Sequence, residues 1–297
     1  MKIIPANTRI DHISTNFAGQ EVELFFKRED LNPSGSFKDR LVYDIWPKLH
    51  EISKQQQIVL SSSGNLAISV LFYTQAMEQK LENGIKIFVP ATLPEIKRLK
   101  LEKLAEQSGL EGVLVTSARP KSDCARYARD NGAFWLRNSA GPDYPNSYFP
   151  LAEEINELHQ QEKLDAVITC VSSGTAASGI CQKLAADIPL FAIQTSKISP
   201  LAKQFGDATP VESTSLANAI SDRIMSRKSS LKALIEARNG SSIACSNLEI
   251  EAALTELRQL LLDEQFTGNA ALPLAGFGKL LKKGYSLNKV LIIISGN

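Results

Sequence analysis

Along the chain, short runs of β-branched and other apolar residues alternate with longer stretches in which apolar positions recur every three or four residues. The first pattern predicts strands at Val22–Lys27, Ile58–Ser61, Ile85–Val89, Val113–Thr116, Ala133–Leu136, Ala166–Val171, Leu190–Gln194 and Val290–Ile294, each followed by turn chemistry or a helix start. The second predicts helices at Ile68–Glu82, Pro94–Gln107, Ser147–Gln160, Ala176–Ala186 and Asn247–Glu264. Such alternation predicts an α/β chain with parallel sheets covered by helices on both faces. Asn138–Tyr148, reading NSAGPDYPNSY, is the densest Gly/Pro/Asn/Ser segment and the expected crossing between two lobes.

Length changes the picture next: 297 residues predict about two domains, with enough core to need no staples. Lys+Arg 33 against Asp+Glu 32 leaves a formal charge of +1, so no global field draws the chain to nucleic acid or an anionic membrane. Any anion must be held locally. The apolar run Val290–Ile294 is too short to span a bilayer, and Met1–Ala18 lacks the layout of a secretory signal, so a cytoplasmic protein is expected. The four cysteines form no C-x-x-C pair, and the three histidines lie far apart. Buried reduced thiols and no metal site are expected.

Three turns carry the candidate chemistry. Ser62-Ser63-Gly64-Asn65 and Ser172-Ser173-Gly174-Thr175 share an S-S-G start, each between a predicted strand and an amphipathic helix. A glycine there permits a tight turn, and the following helix offers unpaired N–H groups at the positive end of its dipole. Each is a potential anion cradle, with a serine-capped α/β connection as the plainer alternative. Neither fits a Walker motif nor G-x-G-x-x-G, which disfavours a nucleotide site.

The third turn is Asn32-Pro33-Ser34-Gly35-Ser36-Phe37-Lys38-Asp39-Arg40. Ser36 with Asp39 three residues on predicts a capping box that starts a helix at Phe37 and puts Lys38 in its first turn. A cation sits poorly at that end of a helix dipole, and burial would further favour the neutral, nucleophilic amine that Schiff-base chemistry needs. The plainer alternative is a solvated lysine beside Asp39. Pro47 is expected to break or restart this helix.

FFKREDLNPSGSFKDR, SSSGNLAIS and VSSGTAASG occur in this order, followed late in the chain by EQFTGNAA and ISGN. Together they resemble the fold type II, tryptophan-synthase-β-like family of pyridoxal 5′-phosphate enzymes. The resemblance implies two open, mostly parallel twisted sheets flanked by helices, with the cofactor in the interdomain cleft. It further implies a smaller domain over 38–138, and a larger one made of 1–37 with 139–297. Lys38 would form the Schiff base with the cofactor and shuttle the substrate α-proton. Asn65 would bind the cofactor's 3′-oxygen, while Ser62, Ser63, Gly64 and Asn65 would hold the substrate carboxylate. Ser172, Ser173, Gly174, Thr175 and Ala176 would cradle the phosphate, and Ser295 would face the pyridine nitrogen. A hydroxyl partner does not enforce pyridine protonation, which favours elimination or replacement over transamination.

Within the family, GSFKDR is similar to threonine synthases and SGNLAI to cysteine-synthase relatives. The resemblance therefore implies β-replacement or β-elimination, through an aminoacrylate, on a small amino acid with an activated side chain such as O-acetylserine or O-phosphoserine. Threonine-synthase-like chemistry on O-phosphohomoserine and serine/threonine dehydration are the alternatives. It also implies a homodimer. Thr175 and Ala176 in the phosphate loop, and a sequence ending two residues after Ser295, depart from the family pattern. These departures leave open a reading of another class, a non-catalytic cofactor-binding homologue acting in protein interaction.

Overall fold

The computed structural model describes residues 4–62, 64–93, 95–110 and 112–296, without the side chain of Ile96. Two compact units divide the chain: Met1–Pro5 with Pro33–Gly141, and Ala6–Asn32 with Pro142–Asn297. The chain is of the α/β class, with two mostly parallel sheets flanked by helices.

The unit around Pro33–Gly141 holds strands β3 (Ile58–Ser61), β4 (Ile85–Pro90), β5 (Leu114–Ser117) and β6 (Phe134–Trp135), all parallel, in the order β5-β4-β3-β6. Its helices are α1 (Lys38–Ser53), α2 (Asn65–Ala76), α3 (Glu95–Gln107) and α4 (Pro120–Asp130). On one side α4 packs on β3 and β4 through Val59, Phe88, Cys124 and Ala128, while α1 and α2 pack on one another.

Two expectations fail here. Pro47 does not break α1, which runs through it to Ser53. An interior proline costs about 3 kcal/mol, but Leu41, Ile45, Trp46 and Leu49 are all buried along this helix. Trp46 Nε1 also donates to the Gln79 carbonyl at 3.0 Å. Nor is α2 amphipathic, since every residue from Leu66 to Thr74 is buried. A helix apolar on all sides belongs in an interior, and this one starts at Asn65 and ends at Ala76 rather than spanning Ile68–Glu82.

The other unit carries a six-stranded sheet of β1 (Ile10–Phe17), β2 (Gln20–Arg28), β7 (Ala166–Cys170), β8 (Leu190–Thr195), β9 (Ser241–Cys245) and β10 (Lys289–Ile294). Their order is β1-β2-β10-β7-β8-β9, with only β1 antiparallel. The β1–β2 hairpin turns through Ala18 and Gly19, both at positive φ, the geometry a two-residue hairpin needs. Helices α5 (Phe149–Glu162), α6 (Thr175–Lys183), α7 (Lys228–Glu236), α8 (Asn247–Leu261) and α9 (Gly268–Lys282) complete the unit. Leu24, Phe26, Ile168, Ile193 and Ile292 from the strands meet Ala271, Leu274 and Phe277 of α9 in one buried cluster. Ser246 caps α8 in a full capping box with Glu249.

Among the described residues no helix is long and apolar enough to cross a membrane.

Candidate functional site

Lys38 is the first residue of α1 and is half-buried, its Nζ 4.9 Å from the centroid of the Phe37 ring. The capping box expected from Ser36 and Asp39 does not form. Ser36 Oγ accepts from the Lys38 N–H at 3.3 Å, whereas Asp39 turns back to the preceding loop. Its carboxylate accepts from both the N–H (2.6 Å) and the hydroxyl of Ser34. It also accepts from Ser69 Oγ on α2 at 2.6 Å. Asp39 is fully buried, and a buried carboxylate is tolerated only when hydrogen bonds of this kind replace water. The Tyr73 phenol, on the same helix as Ser69, is pushed up by burial, then by the charge of Asp39 and by Tyr43.

Gly64 stands at the N-cap of α2 in extended conformation, and its N–H donates to Ser62 Oγ at 3.4 Å. The carbonyl of Gly64 accepts from Ala67 and Ile68 at 2.9 and 3.3 Å. The N–H groups of Asn65 and Leu66 find no acceptor among the described residues, as at any helix start. The side-chain amide of Asn65 also has no partner among those residues. It is half-buried. Ser63 lies outside the described residues. Through the Asp39–Ser69 bond, the turn that carries Lys38 and the helix that begins with Asn65 are held as one piece.

In the other unit, Gly174 is the N-cap of α6 and is left-handed at φ +86°. A Cβ there would stand 2.5 Å from Met225 Cε and 3.2 Å from Leu231 Cδ2, so the loop is closed over by the chain leading into α7. Ser173 and Thr175 are buried, with hydroxyls 3.2 Å apart. Ser172 Oγ donates to Asp222 Oδ2 at 3.1 Å and accepts from the N–H groups of Ser221 and Asp222 at 3.2 and 3.3 Å. Behind the loop, a Cβ on Gly179 would lie 2.0 Å from the Pro145 carbonyl oxygen, so α6 lies directly on the backbone of that segment.

The cradle fits a phosphate on its own observations. Ala176 and Ala177 are buried, and their N–H groups have no acceptor among the described residues. The buried Ser178 hydroxyl has none either. The two N–H groups, at the positive end of a helix, suit an anion bound without a lysine or arginine.

Ser295 follows β10, next to β7 in the sheet. It is 6% exposed, and its Oγ lies 3.1 Å from Cys170 Sγ at the end of β7. Burial pushes the Cys124 and Cys181 thiols up to about 12, which keeps them protonated and unsuited to nucleophilic work.

The residues that local pattern does not single out are Ser69, Asp222, Met225 and Cys170, and Asp39 takes other partners than the one its spacing suggests. Each acts through a contact remote in sequence, 30 residues for Asp39–Ser69 and 125 for Cys170–Ser295. Spacing along the chain carries no such information.

The chain is similar over 193 residues to the mitochondrial threonine dehydratase of Schizosaccharomyces pombe, at 28% identity, covering 63% of this chain and 30% of that one. It is also 28% identical over 185 residues to the N-(2-amino-2-carboxyethyl)-L-glutamate synthase of Cupriavidus metallidurans, covering 60% of this chain and 53% of the relative. The matches thus span less than two thirds of these relatives' lengths. Among solved structures, the fold is similar to that of an O-ureido-L-serine synthase, with a TM-score of 0.80 and 16% identity over 99% of this chain and 90% of that one. Residues 5–296 match the family model described as pyridoxal-phosphate dependent enzyme, so the chain belongs to that family, whose cofactor is pyridoxal 5′-phosphate.

Proposed function

We propose that the protein catalyses β-replacement or β-elimination on a small amino acid bearing an activated side-chain leaving group, O-acetylserine or O-phosphoserine being the class. The observation that carries this is the pair of donor-rich helix starts: Asn65 with the first turn of α2, and the first turn of α6 behind Gly174. The first set suits a carboxylate and the second a phosphate.

On this reading, Ala176, Ala177, Thr175 and the Ser172–Gly174 turn hold the cofactor phosphate, and Ser295 faces the pyridine nitrogen. Lys38 supplies the amine that binds the cofactor aldehyde and moves the substrate α-proton. When bound, the cofactor withdraws electrons from the substrate Cα, which makes that proton acidic. Ser62, Ser63 and Gly64 orient the carboxylate, with the Asn65 amide beside them. The Asp39–Ser69 bond keeps Lys38 registered against that loop. The smaller domain of this reading is 38–138 and the larger is 1–37 with 139–297, in a cytoplasmic homodimer.

Dehydration of serine or threonine is the second reading, favoured by the match to the threonine dehydratase of Schizosaccharomyces pombe. The test begins with the cofactor added to purified protein, followed by borohydride reduction and peptide mapping. An adduct at Lys38 is expected, and one at another lysine rejects the assignment. Separate assays with acetylserine, phosphoserine, phosphohomoserine, serine and threonine then decide the reaction. Turnover of phosphohomoserine alone defeats β-replacement, turnover of serine or threonine alone selects the dehydratase, and no product from any of them selects a non-catalytic homologue.

A further inference from the structure

A cavity of about 690 Å³ opens in the unit of the six-stranded sheet, at the carboxyl end of β8. Four cations line it, Lys197, Lys203, Arg223 and Lys228, against one carboxylate, Glu212. Among the described residues none of the four cations has a side-chain hydrogen bond or an ion pair. Glu212 is already engaged, accepting from the Ser196 hydroxyl and from the Asn247 N–H at 2.8 Å. Ile198, Pro200 and Val211 add apolar surface to the same wall. Uncompensated positive charges gathered round one concavity repel one another, and a bound anion relieves that repulsion while gaining charge-assisted hydrogen bonds.

The position gives the cavity a role. In open α/β sheets, ligands bind beyond the carboxyl ends of the strands, and β8 is the neighbour of β7, which feeds the Ser172–Thr175 loop. The cavity wall is also tied to that loop. Arg223 follows Asp222, which accepts from Ser172, and Lys228 follows Arg227, whose Cβ is 3.7 Å from where a Cβ on Gly174 would stand. The Ala176 and Ala177 donors can take one phosphate, which leaves these four cations for a different anion.

We propose that this cavity is a second anion site, for a small organic dianion with a short apolar body, distinct from the cofactor phosphate cradle. Four cations can engage two anionic groups at once. The proposal does not depend on which reaction the protein catalyses.

Calorimetric titration of the cofactor-loaded protein with succinate, glycerol 3-phosphate and acetate tests it. The two dianions are expected to bind and acetate to bind at least about tenfold more weakly, with affinity for the dianions falling as sodium chloride is raised. The double variant Lys203→Gln/Arg223→Gln should weaken dianion binding about tenfold or more while leaving the cofactor's visible absorbance unchanged. If that variant loses its circular dichroism, Lys197→Gln/Lys228→Gln reads the same effect. Tighter binding of glycerol 3-phosphate identifies the site as one for phosphomonoesters, and tighter binding of succinate as one for dicarboxylates. Equal affinity for acetate and the dianions, no measurable binding of either dianion, or unchanged affinity in a folded variant overturns the proposal.

Discussion

Ser69 on α2 donates its hydroxyl to the buried Asp39 carboxylate on α1 at 2.6 Å. One bond thereby joins the turn that carries Lys38 to the helix that starts at Asn65. Ser34 supplies two more donors to the same carboxylate. Replacing Ser69 by alanine leaves a buried charge short of one partner and should cost about 1.5–3 kcal/mol of unfolding free energy. Urea denaturation checks this, and a loss below about 0.5 kcal/mol would mean that the bond carries no weight. Under the proposed function, Ser69→Ala should also slow turnover, because Lys38 loses its register against the carboxylate loop.

Asn65 offers the opposite case. Its amide has no partner among the described residues, and alanine is the better helix former. Asn65→Ala should therefore change stability by no more than about 0.5 kcal/mol. On the proposed reading it should still shift the absorbance of the bound cofactor and weaken substrate binding. Thermal melts with and without cofactor separate the two effects, and a large loss of stability in the free protein would show that Asn65 has a structural duty.

Two glycines at and within α6 should respond for different reasons. At Gly174, φ +86° penalises any side chain by roughly 1–2 kcal/mol, while the crowding atom there, Met225 Cε, ends a flexible chain. At Gly179 the obstacle is the Pro145 backbone, whose carbonyl oxygen lies 2.0 Å from where a Cβ would stand and cannot swing away. Gly179→Ala should destabilise by about 1–3 kcal/mol through overpacking. Gly174→Ala should destabilise by roughly 1–2 kcal/mol through that backbone conformation, and on the proposed reading it should also lower cofactor affinity, read by titration of the visible band. If Gly179→Ala is neutral, α6 does not depend on that close approach.

Much of the fold was legible because parallel strands buried on both faces are continuous apolar runs. Val22–Lys27, Ile58–Ser61, Ala166–Val171 and Val290–Ile294 fall within one or two residues of the strands found, or inside them. β1 escaped because it is an edge strand, where Asp11, Ser14, Thr15 and Asn16 interrupt the apolar signal. β9, reading SSIAC, is short and small-residue-rich, and it is held by its neighbour, with Ser242 Oγ donating to the Ala192 carbonyl at 2.7 Å. In the candidate site, glycine and serine turns before helices were visible as local chemistry. The Asp39–Ser69 and Ser172–Asp222 contacts were not, because closing loops of 30 and 50 residues is a tertiary event. The helix through Pro47 escaped for the same reason, since burial of Leu41, Ile45, Trp46 and Leu49 outweighs the local penalty.

Asp207 predicts how stability should respond to acid. Partial burial raises its carboxyl, but hydrogen bonds from Thr209 and the Ala244 N–H, with the nearby charge of Lys279, outweigh that and hold it below its ordinary value of 3.8. The Thr209 N–H donates at 2.8 Å and the Ala244 N–H at 3.3 Å. A folded-state value below the unfolded one means that the unfolded chain binds more protons at low pH. The contribution is thus complete above the ordinary carboxylate range and is lost as pH falls through the folded value. Asp207→Asn should remove it. The wild-type protein should exceed the variant in unfolding free energy at about pH 6, and the difference should shrink steadily as pH is lowered from about 4 towards about 2. Urea unfolding across that range measures both, and a gap that stays constant with pH would show that Asp207 contributes through its shape and hydrogen bonds rather than its charge.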